Sequence, residues 1–212
     1  MRSKIALLTG VCLLVVVPAC NWLTPLVFVG EHKKQVLAEF DKLPGHRTAV
    51  LVWTPPETLF DYPFARLELA TYVADKLVSE MAANKTEIDM VDPLDVEDFL
   101  GKTPNADVDP RLVGKHFKVD YVINIEVVEF QIRDPDRPQF LRGRIQASVA
   151  VHDIGADPDL PQSYELTPVQ TTYPDTAPVL MSPTNSLLIR EQTYRKFGEE
   201  IARKFYEYAI DL

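Results

Sequence analysis

Residues 121–132 read YVINIEVVEFQI and residues 141–152 read LRGRIQASVAVH, separated by the charged tip Arg133-Asp134-Pro135-Asp136-Arg137-Pro138. In the first segment Tyr121, Ile123, Ile125 and Val127 share one face at the two-residue period of a strand, and Val128, Phe130 and Ile132 then continue on the other parity. A bulge or strong twist near Val127 and Val128 would re-aim the strand at that change of parity. In the second segment Leu141, Ile145, Ala147, Val149 and Val151 alternate with Arg142, Arg144, Gln146, Ser148 and His152. That alternation predicts a long antiparallel hairpin with one wet face and one face that another element must cover.

Working outward, Ala49 to Trp53 is a short apolar run bounded by Pro55-Pro56, suited to a buried central strand. Asp61 and Pro63 then open a helix to about Ala83, with Phe64, Leu67, Ala70, Val73 or Ala74, Leu77, Val78 and Met81 on one face. A strand over about Glu87 to Val91 completes a β-α-β unit, whose crossover is right-handed. Short helices are expected over Pro93–Leu100 and from Asp109-Pro110 to about His116, each with its own cap. A weaker strand at about Tyr164 to Tyr173 carries Pro168 and precedes Pro174, which places it at an edge. The last element is a helix from about Asn185 to Ala209 with Leu187, Tyr194, Phe197, Ile201, Phe205, Tyr208 and Leu212 in its apolar stripe. Its polar face offers the four-apart pairs Glu191 with Arg195, Glu199 with Arg203 and Glu200 with Lys204. Ahead of Pro44-Gly45, the spacing of Val36, Leu37, Phe40 and Leu43 predicts an amphipathic helix over 31–43.

The expected fold class is therefore α/β (α+β): a single mixed sheet with a β-α-β unit, a long antiparallel hairpin and a C-terminal helix packed on the sheet. Phe197, Ile201 and Phe205 are the residues expected to cover the hairpin. The organisation is a signal peptide over 1–19, an N-terminal segment over 20–46 and one domain over 47–212.

The first thirty residues carry an address. Arg2 and Lys4 precede an apolar stretch from Ile5 to Val17, which ends in Val17-Pro18-Ala19-Cys20. The pattern resembles a bacterial lipobox, in which the cysteine becomes the acylated first residue, although Pro18 departs from the usual residue there. Cys12 would leave with the signal, so Cys20 is the sole cysteine of the mature chain and the candidate lipidation site. Two other readings stay open. Ordinary signal peptidase could cut after Ala19, or Ile5 to Val29 could remain as an uncleaved anchor, long enough at 1.5 Å rise per residue to span a bilayer. Asn21 after the cysteine, by resemblance to proteobacterial sorting rules, points to the outer membrane, facing the periplasm.

Composition excludes several classes. With 31 acidic and 22 basic side chains the formal charge is −9, and it becomes −11 once Arg2 and Lys4 are removed, so no nucleic-acid partner is expected. Only 8 glycines and 2 cysteines rule out collagen-like and disulfide-scaffold chains. The histidines His32, His46, His116 and His152 show no close metal-ligand spacing, and neither a phosphate loop nor a serine elbow is present, so no cofactor is implied. Asp89, Asp92, Asp95, Glu97 and Asp98 follow the second strand, where open α/β sheets place ligands; they could serve a hydrolase or transferase, or cap and charge a helix start. Arg133, Arg137, Arg142 and Arg144 are the one basic concentration, a possible interaction surface unless Glu126, Glu129, Asp134 and Asp136 neutralise them.

The run Val119-Asp120-Tyr121-Val122-Ile123-Asn124-Ile125-Glu126-Val127, with Val149-Ala150-Val151-His152-Asp153-Ile154, resembles the two strands of small α/β domains in envelope lipoproteins. Those are the curli-secretion lipoprotein, the penicillin-binding-protein activator lipoproteins and the N-terminal domain of the Tol-system propeller protein. The resemblance implies a non-enzymatic, lipid-anchored protein that supports or regulates an envelope complex, its membrane contact made through lipid on Cys20 and its protein partner and oligomeric state left open. The readings from other classes are a periplasmic enzyme using the cluster near Asp92 and a small-ligand binding module.

Overall fold

The computed structural model describes residues 33–107, 109–156 and 162–211. The signal, Cys20 and the uncleaved-anchor stretch lie outside them. The chain divides into two units. The smaller holds residues up to Val36 and from Ala209 onward; there β1 (Lys33–Val36) and β8 (Tyr208–Asp211) pair as a two-stranded sheet.

The larger unit, Leu37–Tyr208, is built on one mixed sheet of order β3-β2-β4-β5-β6, with β7 also on β5. Its strands are β2 (Arg47–Trp53), β3 (Asp89–Met90), β4 (Tyr121–Arg133), β5 (Phe140–Asp153), β6 (Ser163–Tyr173) and β7 (Val179–Leu180). β2 lies parallel to both β3 and β4, from Arg47 opposite Asp89 and from Thr48 opposite Tyr121. β4, β5 and β6 are antiparallel neighbours. The bulge anticipated from the parity change is present, with the β4–β5 register shifting between Val127 and Glu129. It turns Val128 out to solvent at 62% exposure and returns Ile132 to the interior.

The helices are α1 (Pro56–Asp61), α2 (Ala65–Ala83), α3 (Pro93–Lys102), α4 (Pro110–Phe117) and α5 (Pro183–Ala202). α2 and α5 cover the hairpin face of the sheet. Leu69, Val73 and Leu77 of α2, with Tyr194, Phe197 and Ile201 of α5, bury against Ile123, Ile125, Ile145, Val149 and Val151, and Phe205 joins them just past α5. Burial of this kind is worth about 1.5–3 kcal/mol for each large side chain. α3 and α4 cover the opposite face through Val96 and Val113, against Ala49, Leu51 and Val122. A third cluster, Ile132, Leu141 and Ile189, lies towards the hairpin tip.

Several expectations are corrected. No helix occupies the described part of 31–43: Lys33–Val36 is a strand, and Phe40 and Leu43 reach the core from irregular chain while Leu37 is 73% exposed. The three- and four-residue spacing here records separate dips into the core. The long helix begins at Ala65, after the separate α1, because the chain turns at Tyr62 and Pro63; Phe64 is consequently outside, at 68% exposure. α5 stops at Ala202, not at Ala209. Its end tightens into three-residue bonds, Lys204 N–H to Ile201 O and Phe205 N–H to Ala202 O, while the Lys204 carbonyl accepts from the Glu39 and Phe40 N–H groups at 2.8 and 3.1 Å. Leu187 is exposed, and Leu212 lies outside the described residues.

The expected Glu200–Lys204 pair is also replaced. The buried Lys204 ammonium is 2.9 Å from Glu39 Oε1, and Glu39 Oε2 accepts the Thr167 N–H at 2.7 Å. Glu200 accepts instead from the Thr171 hydroxyl. Burial alone would raise the Glu39 pKa, but the Lys204 hydrogen bond, the Thr167 N–H and the Lys204 charge hold it below the ordinary value. A depressed carboxylate pKa stabilises the fold above the unfolded-state value, and this contribution is lost as pH falls through the folded-state value. Glu39→Gln is therefore expected to lower the unfolding free energy by about 1 kcal/mol or less near neutral pH, because the carboxylate is more than a third exposed and solvent screens its pair with Lys204. The gap between variant and parent should narrow as Glu39 takes up its proton, which denaturant titrations at neutral pH and at successively lower pH through the carboxylate range would measure.

Candidate functional site

The acidic cluster after β3 is dispersed into structural roles. Pro93 at the first helical position sets the entry to α3, and Asp92 caps it, its Oδ1 accepting the Leu94 N–H at 2.8 Å. Glu97 takes the fork of Arg66 from α2, with Nε at 2.7 Å and Nη2 at 2.5 Å, which ties the two helices across the unit. Asp89 lies 3.8 Å from Arg47 and Asp98 4.0 Å from Lys102. Asp95 sits in the first turn of α3, where a negative charge meets the positive helix end. Among the described residues no three His, Cys, Asp or Glu side chains are grouped to hold a metal.

The histidines are scattered likewise. His46 Nδ1 is 3.3 Å from Asp120 Oδ2, and the His116 ring stacks on Phe99 with centroids 4.0 Å apart. Burial, with the Arg111 charge, holds the His152 pKa down against the pull of Glu165 and Asp109. His32 lies outside the described residues.

The hairpin end looks different. Asp134 is buried and organises the tip: its Oδ1 accepts the N–H groups of Asp136 and Arg137, each at 3.1 Å, and its Oδ2 lies 3.5 Å from Arg137 Nη2. Arg137 also lies over the Phe140 ring, 5.4 Å from its centroid. Arg142 donates to the Asp175 carbonyl at 3.2 Å, and its Nε is buried without a partner. Arg133 and Arg144 make no ion pair among the described residues. Of the neutralising contacts expected from the sequence, only Asp134 with Arg137 forms. Across the strands Gln131 stands opposite Arg144 and Gln146 opposite Glu129, so neither charge faces one of opposite sign.

Beside the tip is a cleft of about 500 Å³ between the end of α1 and β4, lined by Asp61, Tyr62, Phe130, Gln131, Arg133 and Pro135 among others. Tyr62 packs on Phe130 with ring centroids 5.0 Å apart, and Gln131 Oε1 is buried without a partner. Phe60 stands out at 88% exposure, next to Asp61. Sequence reasoning missed this corner. Its signal was Phe60-Asp61-Tyr62-Pro63-Phe64, three aromatics around a proline where one regular stripe could not hold them all.

The sheet edges, by contrast, are blunted. β3 has two residues. The β6 edge is interrupted by a register shift and Pro168, and is held by Glu39 on the Thr167 N–H and by Lys196 Nζ on the Thr172 carbonyl at 3.0 Å.

No family model matches the chain, and no curated protein matches it. Among solved structures it is similar to the PelC dodecamer from Paraburkholderia phytofirmans, at 11% identity and a TM-score of 0.40, covering 82% of this chain and 98% of that one. It is also similar to lipoprotein GNA1162 from Neisseria meningitidis, at 14% identity and a TM-score of 0.35, covering 69% and 93%. A third is the hypothetical protein CT253 from Chlamydia trachomatis, at 12% identity and a TM-score of 0.37, covering 74% and 95%. Likeness at this level does not establish a shared function.

Because Asp92 caps α3, Asp92→Ala should lower stability by about 0.5–2 kcal/mol. Asp95→Asn, which removes only a dipole contact, should lower it by about 1 kcal/mol or less. Thermal denaturation of the two variants checks this ranking, and the reverse order would point to a role for Asp95 beyond the helix start.

Proposed function

We propose that the chain is an exported protein acylated on Cys20, held at the bacterial envelope by that lipid, whose α/β body supports or regulates an envelope complex without catalysing a reaction. The observation that carries this reading is Val17-Pro18-Ala19-Cys20 at the end of a charged-then-apolar leader, with Cys20 the sole cysteine of the mature chain. Asn21 favours the outer membrane, facing the periplasm. The strongly acidic body would be repelled by anionic headgroups, so attachment falls to the acyl chains and not to surface charge. Among the described residues no helix is long and apolar enough to cross a membrane.

The contact surface in this reading is the hairpin end. It combines Arg133 and Arg144, which have no carboxylate partner among the described residues, with the exposed ring of Phe60, and aromatic and arginine side chains are the usual anchors of protein interfaces. The blunted edges of β3 and β6 make strand addition a poorer route. The acidic cluster supplies no converging pair for acid–base work, since Asp92 and Glu97 are committed to Leu94 and Arg66.

Cys20→Ser is expected to abolish incorporation of labelled fatty acid and to move the protein from membranes to the soluble fraction. A variant that stays membrane-bound and unprocessed would establish the uncleaved anchor instead. Arg133→Glu combined with Arg144→Glu should reduce crosslinking to partners in native membranes with the melting temperature unchanged. Equal crosslinking would move the contact surface elsewhere.

A further inference from the structure

We propose that the free edge of β4 between Glu129 and Arg133 takes up an extended segment of a partner protein as an added strand, along the line that β2 leaves vacant. β2 ends at Trp53, opposite Glu126, because Thr54-Pro55-Pro56 carries the chain off into α1 and proline has no N–H to give to a ladder. β4 runs on to Arg133, paired with β5 on one side alone. In such a strand alternate backbone N–H and C=O groups point away from the one neighbour. No hydrogen bond from another backbone or side-chain group reaches this edge between Glu129 and Arg133 among the described residues. The outer edges of the sheet differ in just this respect, since β3 has two residues and β6 is held at Thr167 and Thr172.

The free edge forms one wall of the cleft of about 500 Å³ beside the end of α1, which belongs wholly to the larger unit. From Glu129 to Arg133 it offers roughly 13 Å of strand, at about 3.3 Å rise per residue, enough to pair about five residues of an incoming chain. Main-chain hydrogen bonds would hold that chain, and its alternate side chains would set the specificity. Phe130 pairs with Ile145, so it lies on the face that α2 and α5 cover, and the Tyr62 ring packs on it with centroids 5.0 Å apart. An added strand meets these rings with a β-branched or aliphatic side chain. Towards the tip, Arg133 lines the same cleft, is exposed, and has no ion pair among the described residues, which selects a carboxylate at that end. Asp61 stands on the α1 wall, so a run of acidic residues would be repelled where a single one is accepted. The occupant is therefore an extended, β-branched segment with one acidic residue at the end nearer the tip.

This inference rests on the reading of the hairpin end as the contact surface and specifies how the contact is made. The full chain is titrated with short peptides that alternate valine and threonine and carry a glutamate, a glutamine or a lysine near one end, while amide exchange is followed residue by residue. In the free protein the amides of Glu129–Arg133 that point away from β5 should exchange freely. The glutamate peptide should bind saturably and slow them about tenfold or more. N-methylation of that peptide at alternate residues should abolish binding in one parity and spare it in the other, because only one set of its N–H groups faces β4. Arg133→Glu should weaken the glutamate peptide about tenfold and favour the lysine peptide in its place. The proposal is overturned if these amides are already protected in the dilute free protein, if no peptide binds, or if both N-methylated forms bind as well as the parent. Protection that rises with protein concentration alone would assign the edge to a second copy and would equally overturn it. Loss of membrane crosslinking on combining Arg133→Glu with Arg144→Glu, with no peptide bound by the parent, would keep the hairpin end as the contact surface and overturn strand addition alone.

Discussion

How closely α5 can approach its neighbours decides the rest of the larger unit, and two glycines set that distance. A side chain at Gly143 on β5 would overlap the Thr193 hydroxyl, and one at Gly198 would meet the Tyr72 carbonyl oxygen at 2.8 Å. The helix thus touches backbone at two points, one on the sheet and one on α2. Thr193 can lie against β5 because its hydroxyl is satisfied within the helix, donating to the Ile189 carbonyl at 2.6 Å. Once α5 is seated there, Phe197, Ile201 and Phe205 close the space above the hairpin and Ile189 reaches the third cluster. A larger residue at either glycine would lift the helix and loosen all these contacts together, because packed interiors transmit displacement more readily than they absorb it.

The second organising feature is a set of register shifts at one level of the sheet. β4 shifts between Val127 and Glu129 opposite Ala147, and the β5–β6 pairing shifts between Ala147 and Val149. Below that level both faces of the sheet are covered by helices. Above it each β4 residue is moved on by one, so that Gln131 faces Arg144 where an unshifted ladder would set Phe130. The same local insertion that keeps Ile132 in the interior thereby exposes Val128.

Much of this was legible in the sequence for reasons of period. The alternation from Leu141 to Val151 and the parity change at Val127-Val128 each have a single structural solution in a half-covered sheet, and both are realised. Asp92-Pro93 and Asp109-Pro110 were legible as cap and first helical position because cap chemistry is local: their carboxylates accept from Leu94 and Arg111, two residues on. What was not legible depends on distant partners. The end of α5 is set by Glu39 and Phe40 taking the Lys204 carbonyl, and nothing within the helix marks the stop. The 31–43 reading failed because buried positions three apart occur wherever a chain meets a core twice, and Phe40 and Leu43 do that without a helix. β7 is two residues long, too short for any period. At the candidate site, the arginines could be read off as a concentration but not as unpaired, since pairing turns on a register that only the folded sheet defines.

The polar contacts along β6 work against extension of the sheet at that edge. Glu39 takes the Thr167 N–H and Lys196 donates to the Thr172 carbonyl, so two backbone groups of this strand are occupied, while Glu200 takes the Thr171 hydroxyl and Lys204 secures Glu39 in place. Buried polar atoms without partners are spread through the unit, at Thr48 and Thr54 in and just beyond β2 as well as at Gln131 and Arg142 towards the hairpin tip, so by themselves they mark no single surface. The edges carry the argument instead: with β3 two residues long and β6 interrupted by Pro168 and held at Thr167 and Thr172, strand addition there is a poor route to another chain, and contacts are to be sought above the bulge, where Arg133, Arg137 and the Phe60 ring are exposed.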